Sequence, residues 1–300
     1  MKFRIIALIF LLIRLAVGNL YAQQEQQHFP FSQHENDKYF YIPAVAGIAS
    51  SYEMQSAAHV QALSDTASWQ AYFFSAYGPL NYFPVGVGFS ASHIRTGLYV
   101  QNSIQLTGAC SFKSGSSQYA FAASIGGLEY DFSGWGLPAG MPGDTLADKT
   151  RYLPDVGLSF YMTRDIFYVG AAIQHIGNMS LKVTPNGEYM TGELLQQIYF
   201  LAGACVDVSG QVALEPSLLI GCTKDDFAGS LSLTMNFEDW LWIGGSYKST
   251  GKAGVIVGGQ LAEKYYLSYA YEHPLTSSTK YGIHELVLGV RLASLRGGRR

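Results

Sequence analysis

The sequence predicts a transmembrane, antiparallel, up-and-down β-barrel of about 14 strands, and three observations carry that reading. Long stretches alternate apolar residues with small polar ones at a period of two. Charged residues make up only 14% of the 300 residues, against about 25% in ordinary soluble proteins, while Gly (33), Tyr (21) and Phe (17) are plentiful. Short and long connections also alternate along the chain, as they do in outer-membrane barrels. The same numbers exclude other classes. A chain that is 48% hydrophobic is not disordered. After residue 22 no run approaches the roughly 20 apolar residues that a membrane helix needs. A formal net charge of -3 with no basic stripe argues against nucleic acid as a partner.

Residues 1–22 read as a signal peptide. Lys2 and Arg4 precede an apolar core from Ile5 to Val17, broken by Arg14, and Ala22 offers a small residue at the cut. Cleavage there leaves 16 basic and 22 acidic residues, a net charge of -6. Residues 23–47 are polar and aromatic without regular period, and are expected to form an extended periplasmic lead-in. The barrel is expected over 48–293, and 294–300 is a basic tail.

Strands are expected at 50–63, 68–77, 84–93, 100–112, 117–129, 154–163, 165–175, 195–207, 211–222, 226–237, 239–249, 252–262, 263–272 and 281–292. The clearest runs from Phe227 to Phe237. There Leu231, Leu233 and Met235 share one face, while Ser230, Ser232 and Thr234 share the other. Tyr265, Leu267, Tyr269 and Tyr271 repeat the pattern, as do Leu286, Leu288, Val290 and Leu292. Tyr and Phe near the strand ends fit interfacial aromatic girdles. The links at 113–116, 163–165, 208–210, 238–239 and 262–264 are short, whereas those at 130–153, 177–194 and 273–280 are long. With both chain ends periplasmic, the short links fall on the periplasmic side. Fourteen strands could also form a sandwich, but a closed sheet satisfies every backbone group within hydrocarbon and leaves no edge.

Chemical motifs are missing. No nucleophile elbow, phosphate loop or His-Glu-x-x-His pair occurs, so the chain is not read as an enzyme and no cofactor or metal is expected. Cys110, Cys205 and Cys222 are read as small buried apolar residues. A hairpin near Ser209-Gly210 would set Cys205 opposite Leu214, too far from Cys222 for a bridge. Glu215, Glu285 and Arg291 lie opposite their strands' apolar residues and form a candidate polar network within the lumen. Solvated, isolated polar groups explain them equally well. His175 and His284 fall at strand ends, where rim histidines bonded to loops are expected.

Several segments, in order, resemble the PorP/SprF family of outer-membrane proteins of type IX secretion and gliding. Phe31-Ser32-Gln33 with Ile42-Pro43-Ala44-Val45-Ala46-Gly47 is similar to its opening "FSQY … NPAYAG". The run from Pro154 to Tyr161 with Phe167-Tyr168-Val169-Gly170 resembles its "PNFGxGxYYY … FYVGLS" hairpin. Leu241 to Lys248 resembles "LWLGASYR", and Tyr269-Ala270-Tyr271-Glu272 with His284 to Gly289 resembles "YAYDY … SHEIMLG". This chain departs at Ile42 and Ile283, where the family has Asn and Ser, and in continuing from Ser294 to Arg300. The resemblance implies a Bacteroidota outer-membrane accessory that helps secrete or retain a large surface protein or adhesin. Its implied partners are the PorK/PorN ring, a PorE-like peptidoglycan-binding protein and outer-membrane lipid. The lead-in and short turns would face the periplasmic partners, and loops 130–153 and 177–194 the secreted client. Two other readings stay open: a passive channel or small-molecule transporter, and a structural surface protein with no link to transport.

Overall fold

In the computed structural model, residues 31–36, 38–61, 69–80, 83–96, 99–131, 150–177, 180–183, 190–193, 196–224, 226–238, 240–262, 264–275 and 281–293 are described. The expected signal peptide, the basic tail and most of loop 130–153 lie outside them.

The first half of the wall comprises β1 (Ser51–Gln61), β2 (Trp69–Pro79), β3 (Val85–Thr96), β4 (Tyr99–Ser114), β5 (Ser117–Asp131), β6 (Thr150–Arg164) and β7 (Phe167–Gln174). A small separate hairpin follows, β8 (Ser180–Val183) with β9 (Met190–Glu193), inside the long connection expected at 177–194. The second half comprises β10 (Gln197–Ala204), β11 (Val206–Asp207), β12 (Val212–Cys222) and β13 (Phe227–Phe237). It continues through β14 (Leu241–Lys248), β15 (Lys252–Leu261), β16 (Tyr265–Pro274) and β17 (Ile283–Ala293). Every neighbour pairs antiparallel. The sheet closes because β1 pairs with both β2 and β17, and β10 pairs with both β7 and β12.

β10 and β11 are one stave. Gly203 faces Ser217 and Val206 faces Leu214, so register is kept across the break at Cys205, whose N–H bonds Ile166 O at 2.8 Å. The closed wall therefore has 14 strands among the described residues, each overlapping an expected one. Three strands are taller than expected. β4 reaches Ser114, β5 reaches Asp131 and β6 begins at Thr150, so the wall projects into what read as the start and end of a loop. No helix among the described residues is long and apolar enough to cross a membrane.

Alternation decides what faces where. On β13, Ser230, Ser232 and Thr234 are buried toward the lumen, while Leu233 is 52% exposed outside. Leu106 and Ile125, paired across β4 and β5, are 60% and 66% exposed. A sandwich would bury such residues, and only lipid makes this exposure favourable. The cysteine expectation is corrected by the same rule. Cys110 shares the outer face with Leu106 and Phe112 and is exposed; Cys205 is exposed, and Cys222 is half-buried. They are apolar partners of lipid or of a strand end and not of a protein core. Cys222 pairs with Ile198 and Phe227, far along β12 from the Val206–Leu214 pair.

Six strand connections, those that follow Pro79, Ser114, Arg164, Asp207, Phe237 and Leu261, lie at one end of the wall. Gly115, at φ 60°, supplies the left-handed residue that so tight a hairpin needs. β1 begins and β17 finishes at this same end.

Candidate functional site: a lumen filled by the chain's own N-terminal segment

The described part of the expected periplasmic lead-in, residues 31–36 and 38–47, does not hang below the barrel. It lies inside. Helix α1 (Lys38–Tyr41) is followed by a 3-10 turn over Pro43–Gly47. Phe31, Ser32, Gln33, His34, Tyr39, Tyr41, Ile42, Ala44 and Ala46 are all at or below 3% exposure. The residues they touch belong to staves all round the wall, which only an interior position allows. The physical reason is composition: Tyr39-Phe40-Tyr41-Ile42 is too apolar for water and too polar in backbone for lipid, so the lumen is its best solvent.

The upper end of this plug is held by Glu285. Its carboxylate accepts the backbone N–H of Ser32 at 2.6 Å and of Gln33 at 3.2 Å, and bonds His59 Nδ1 at 2.7 Å. Ser268 also donates to the Gln33 side-chain oxygen. Next, His34 enters a ring of hydroxyls, with Nε2 3.0 Å from Ser217 Oγ and Ser230 and Ser232 at 3.5 and 3.4 Å. Burial, with Lys38 and Lys248 nearby, lowers the His34 pKa to about 3, so its ring is neutral. Glu35 accepts from Ser232 at 3.1 Å and Thr234 at 3.0 Å. Burial raises its pKa to about 7 despite those bonds, and Glu215 adds to the rise. Ser217, His34 and Glu35 have the residue types of a hydrolytic triad. Yet His34 and Glu35 stand 3.9 Å apart and all three are buried, so no substrate reaches them and the arrangement is a tie.

Lower down, Lys38 Nζ donates to Glu215 Oε1 at 2.8 Å and sits 4.1 Å over the Tyr168 ring, whose hydroxyl donates to the same oxygen at 3.0 Å. The Tyr39 hydroxyl donates to Thr107 at 3.0 Å while its ring stacks on Tyr77 at 4.6 Å. Phe31, Phe40 and Phe73 pack edge to face or tilted within 6 Å, each such pair worth about 0.5–1.5 kcal/mol beyond burial. Gln174 Nε2 donates to Phe40 O at 3.0 Å, and Ala44 N–H to Ser159 Oγ at 2.9 Å. Where the plug backbone comes closest, the wall is glycine: a Cβ on Gly86 would overlap the Ala46 carbonyl, and one on Gly88 the Tyr39 hydroxyl. Of the departures from the family pattern, Ile42 packs against Gly170 inside the barrel and Ile283 is buried in the wall.

The structure treats the three candidate lumen residues differently. Glu285 and Glu215 both face the lumen and both grip the plug, but at separate points. Arg291 joins neither: it lies at the short-turn mouth, half exposed, 3.6 Å from Glu53 and over the Tyr266 ring. Of the groups that do interlock, Lys248, Glu272 and Asp155 were not singled out in the sequence. Lys248 donates to Glu272 at 3.1 Å with both side chains 1% exposed, and His175 bonds Asp155 at 3.0 Å while Gln105 donates to the same carboxylate. His175 is thus a lumen residue bonded to a strand carboxylate, and His284 bonds Tyr269 at 2.7 Å on the outer face; neither bonds a loop in these contacts. The available signal was that Glu272 and Asp155 stand on the faces opposite their strands' apolar residues, as Glu285 does. No group of His, Cys, Asp and Glu among the described residues is arranged to hold a metal.

Comparison with known proteins fits this architecture. Among solved structures the chain resembles the outer membrane protein Omp33 of Acinetobacter baumannii, at 9% identity and TM-score 0.50, over 82% of this chain and 100% of that one. It also resembles the toluene transporter TodX of Pseudomonas putida, at 10% identity and TM-score 0.51, over 86% and 94%. At such identities the likeness concerns the fold alone, and the fold is that of an outer-membrane barrel. No curated protein matches the chain. The sequence pattern of the type IX secretion system membrane protein PorP/SprF matches residues 23–290. The chain is therefore a type IX secretion-associated protein of the outer membrane and belongs to the PorP/SprF family.

Proposed function

We propose that this protein is a non-enzymatic accessory of type IX secretion and gliding that helps deliver or retain a large secreted surface protein or adhesin. The observation that carries the reading is the occupied lumen. A wall whose glycines, hydroxyls and carboxylates are matched to the chain's own segment is poorly suited to passing solutes, which disfavours a passive channel. Its usable surfaces are then its two ends. At the short-turn end, the turns would meet the PorK/PorN ring and a PorE-like peptidoglycan-binding protein. The segment 31–47 is withdrawn from that task because it is buried. At the opposite end, the connections at 130–153 and 177–194, the second carrying the β8–β9 hairpin, would meet the client.

Deleting 177–194 tests this. The expected result is a client released to the medium, with the barrel still folded as judged by heat-modifiable gel mobility. Unchanged retention of the client on the cell surface would overturn the assignment.

A further inference from the structure

We propose that the outer wall of β4–β6 carries a docking site for a glycolipid of the outer leaflet. Asn102, Glu129 and Tyr152 are direct cross-strand partners and all face outward. They form one line, in which Asn102 Nδ2 donates to Glu129 Oε2 at 2.8 Å and Tyr152 stands beside Glu129. His93 Nδ1 extends the line, donating to Asn102 Oδ1 at 2.7 Å, and Tyr72, its partner on β2, packs near the imidazole. One step toward the short turns, the next outward row is Ile104, Gly127 and Pro154, followed by Leu106, Ile125 and Val156. The polar row is therefore an edge of the apolar band. Ten residues separate Asn102 from Phe112, which near the short turns heads the row Phe112–Tyr119–Met162. At about 3.3 Å per residue and a tilt of about 40°, that span is about 25 Å, the height of such a band.

Below the polar row lies a groove of about 470 Å³, with Ile104, Gly127 and Pro154 along it and Asn102, Glu129 and Tyr152 at its mouth. Gly127 contributes no side chain, and a Cβ there would meet nothing nearer than Leu153 O at 3.7 Å, so the dent is free space and not a backbone necessity. A groove in a lipid-facing wall is filled by an acyl chain, and the mouth selects the head group. Among the described residues no Lys or Arg lines the groove, and Glu129 repels phosphate. Its carboxylate keeps acceptor capacity beyond the bond it receives from Asn102, which suits hydroxyl donors. Tyr152, 75% exposed, and Tyr72, 42% exposed, offer ring faces to the apolar side of a sugar.

The test is the full-length protein extracted from its native outer membrane in mild detergent, with bound lipid identified by native mass spectrometry. The wild type should carry glycolipid in preference to phospholipid. Gly127→Leu, whose Cβ meets only an ordinary contact at Leu153 O and whose side chain enters the groove, and Glu129→Ala, which empties the mouth, should each reduce retained glycolipid about tenfold or more while heat-modifiable mobility persists. Glycolipid retained equally by wild type and either folded variant would overturn the proposal. So would a wild type whose bound lipid is phospholipid alone.

Discussion

Replacing Glu285 by Ala tests whether the plug is held where the geometry places its strongest grip. Three donors converge on that carboxylate: two backbone N–H groups of the plug and one His59 nitrogen of the wall. Hydrogen bonds to a charged group are worth about 1.5–3 kcal/mol each, and removing one member of a buried charged contact costs about 3–5 kcal/mol because the partners stay buried. Taking about 4 kcal/mol, the ratio of seated to released plug falls roughly a thousandfold. Glu285→Gln keeps the shape and one acceptor oxygen, so its effect should be several times smaller in free energy. The assay is ion conductance of the purified barrel in planar bilayers, alongside a variant lacking residues 31–47. Wild type should be nearly silent, the deletion should conduct, and Glu285→Ala should conduct intermittently while keeping heat-modifiable mobility. If the deletion conducts but Glu285→Ala is as silent as wild type, the assignment of Glu285 as the anchor is refuted.

Other outcomes follow from the same geometry. Glu35 has its folded pKa raised from 4.5 to about 7, so its contribution to plug seating is full below pH 4.5 and is lost as pH rises through about 7. That is a swing of about 3 kcal/mol. Conductance should rise between about pH 4.5 and 7 and level off above that, and Glu35→Gln should flatten the rise. Gly86→Val should lever the Ala46 end of the plug off the wall and raise conductance without loss of the barrel. Lys248→Met should strand a buried Glu272 and lower the temperature at which gel mobility shifts, whereas Lys248→Met with Glu272→Leu should recover most of the loss. In a variant with Cys110→Ser and Cys222→Ser, Cys205, exposed beside a short turn, should react with a membrane-impermeant maleimide only after the outer membrane is permeabilised; labelling on intact cells would invert the barrel's orientation.

Much of the wall was legible because a strand in lipid obeys a strict rule. Leu231, Leu233 and Met235 had to share a face, and Ser230, Ser232 and Thr234 the other, so inside and outside followed from parity alone. The family membership was legible for a related reason: the segments that carry it include Glu285, which grips the plug, and residues of the plug itself, such as Gln33 and Ala44. What those residues do was not legible. Irregular sequence from 23 to 47 has no period to read, and whether Tyr39, Tyr41 and Ile42 are wet or buried depends on the cavity that distant strands enclose.

Cysteine burial failed for the converse reason, since an apolar face on a strand names its preference for low polarity without saying whether protein or lipid supplies it. Local alternation, composition and connection length thus determined a closed, lipid-facing β wall and its handed arrangement of short and long ends. Closure alone decided that Glu285 meets Ser32 across 253 residues of chain, that Glu215 and Arg291 are not neighbours, and that the lumen is occupied. Those are contacts between strands far apart in sequence, and their partners are fixed only when the sheet's two edges meet.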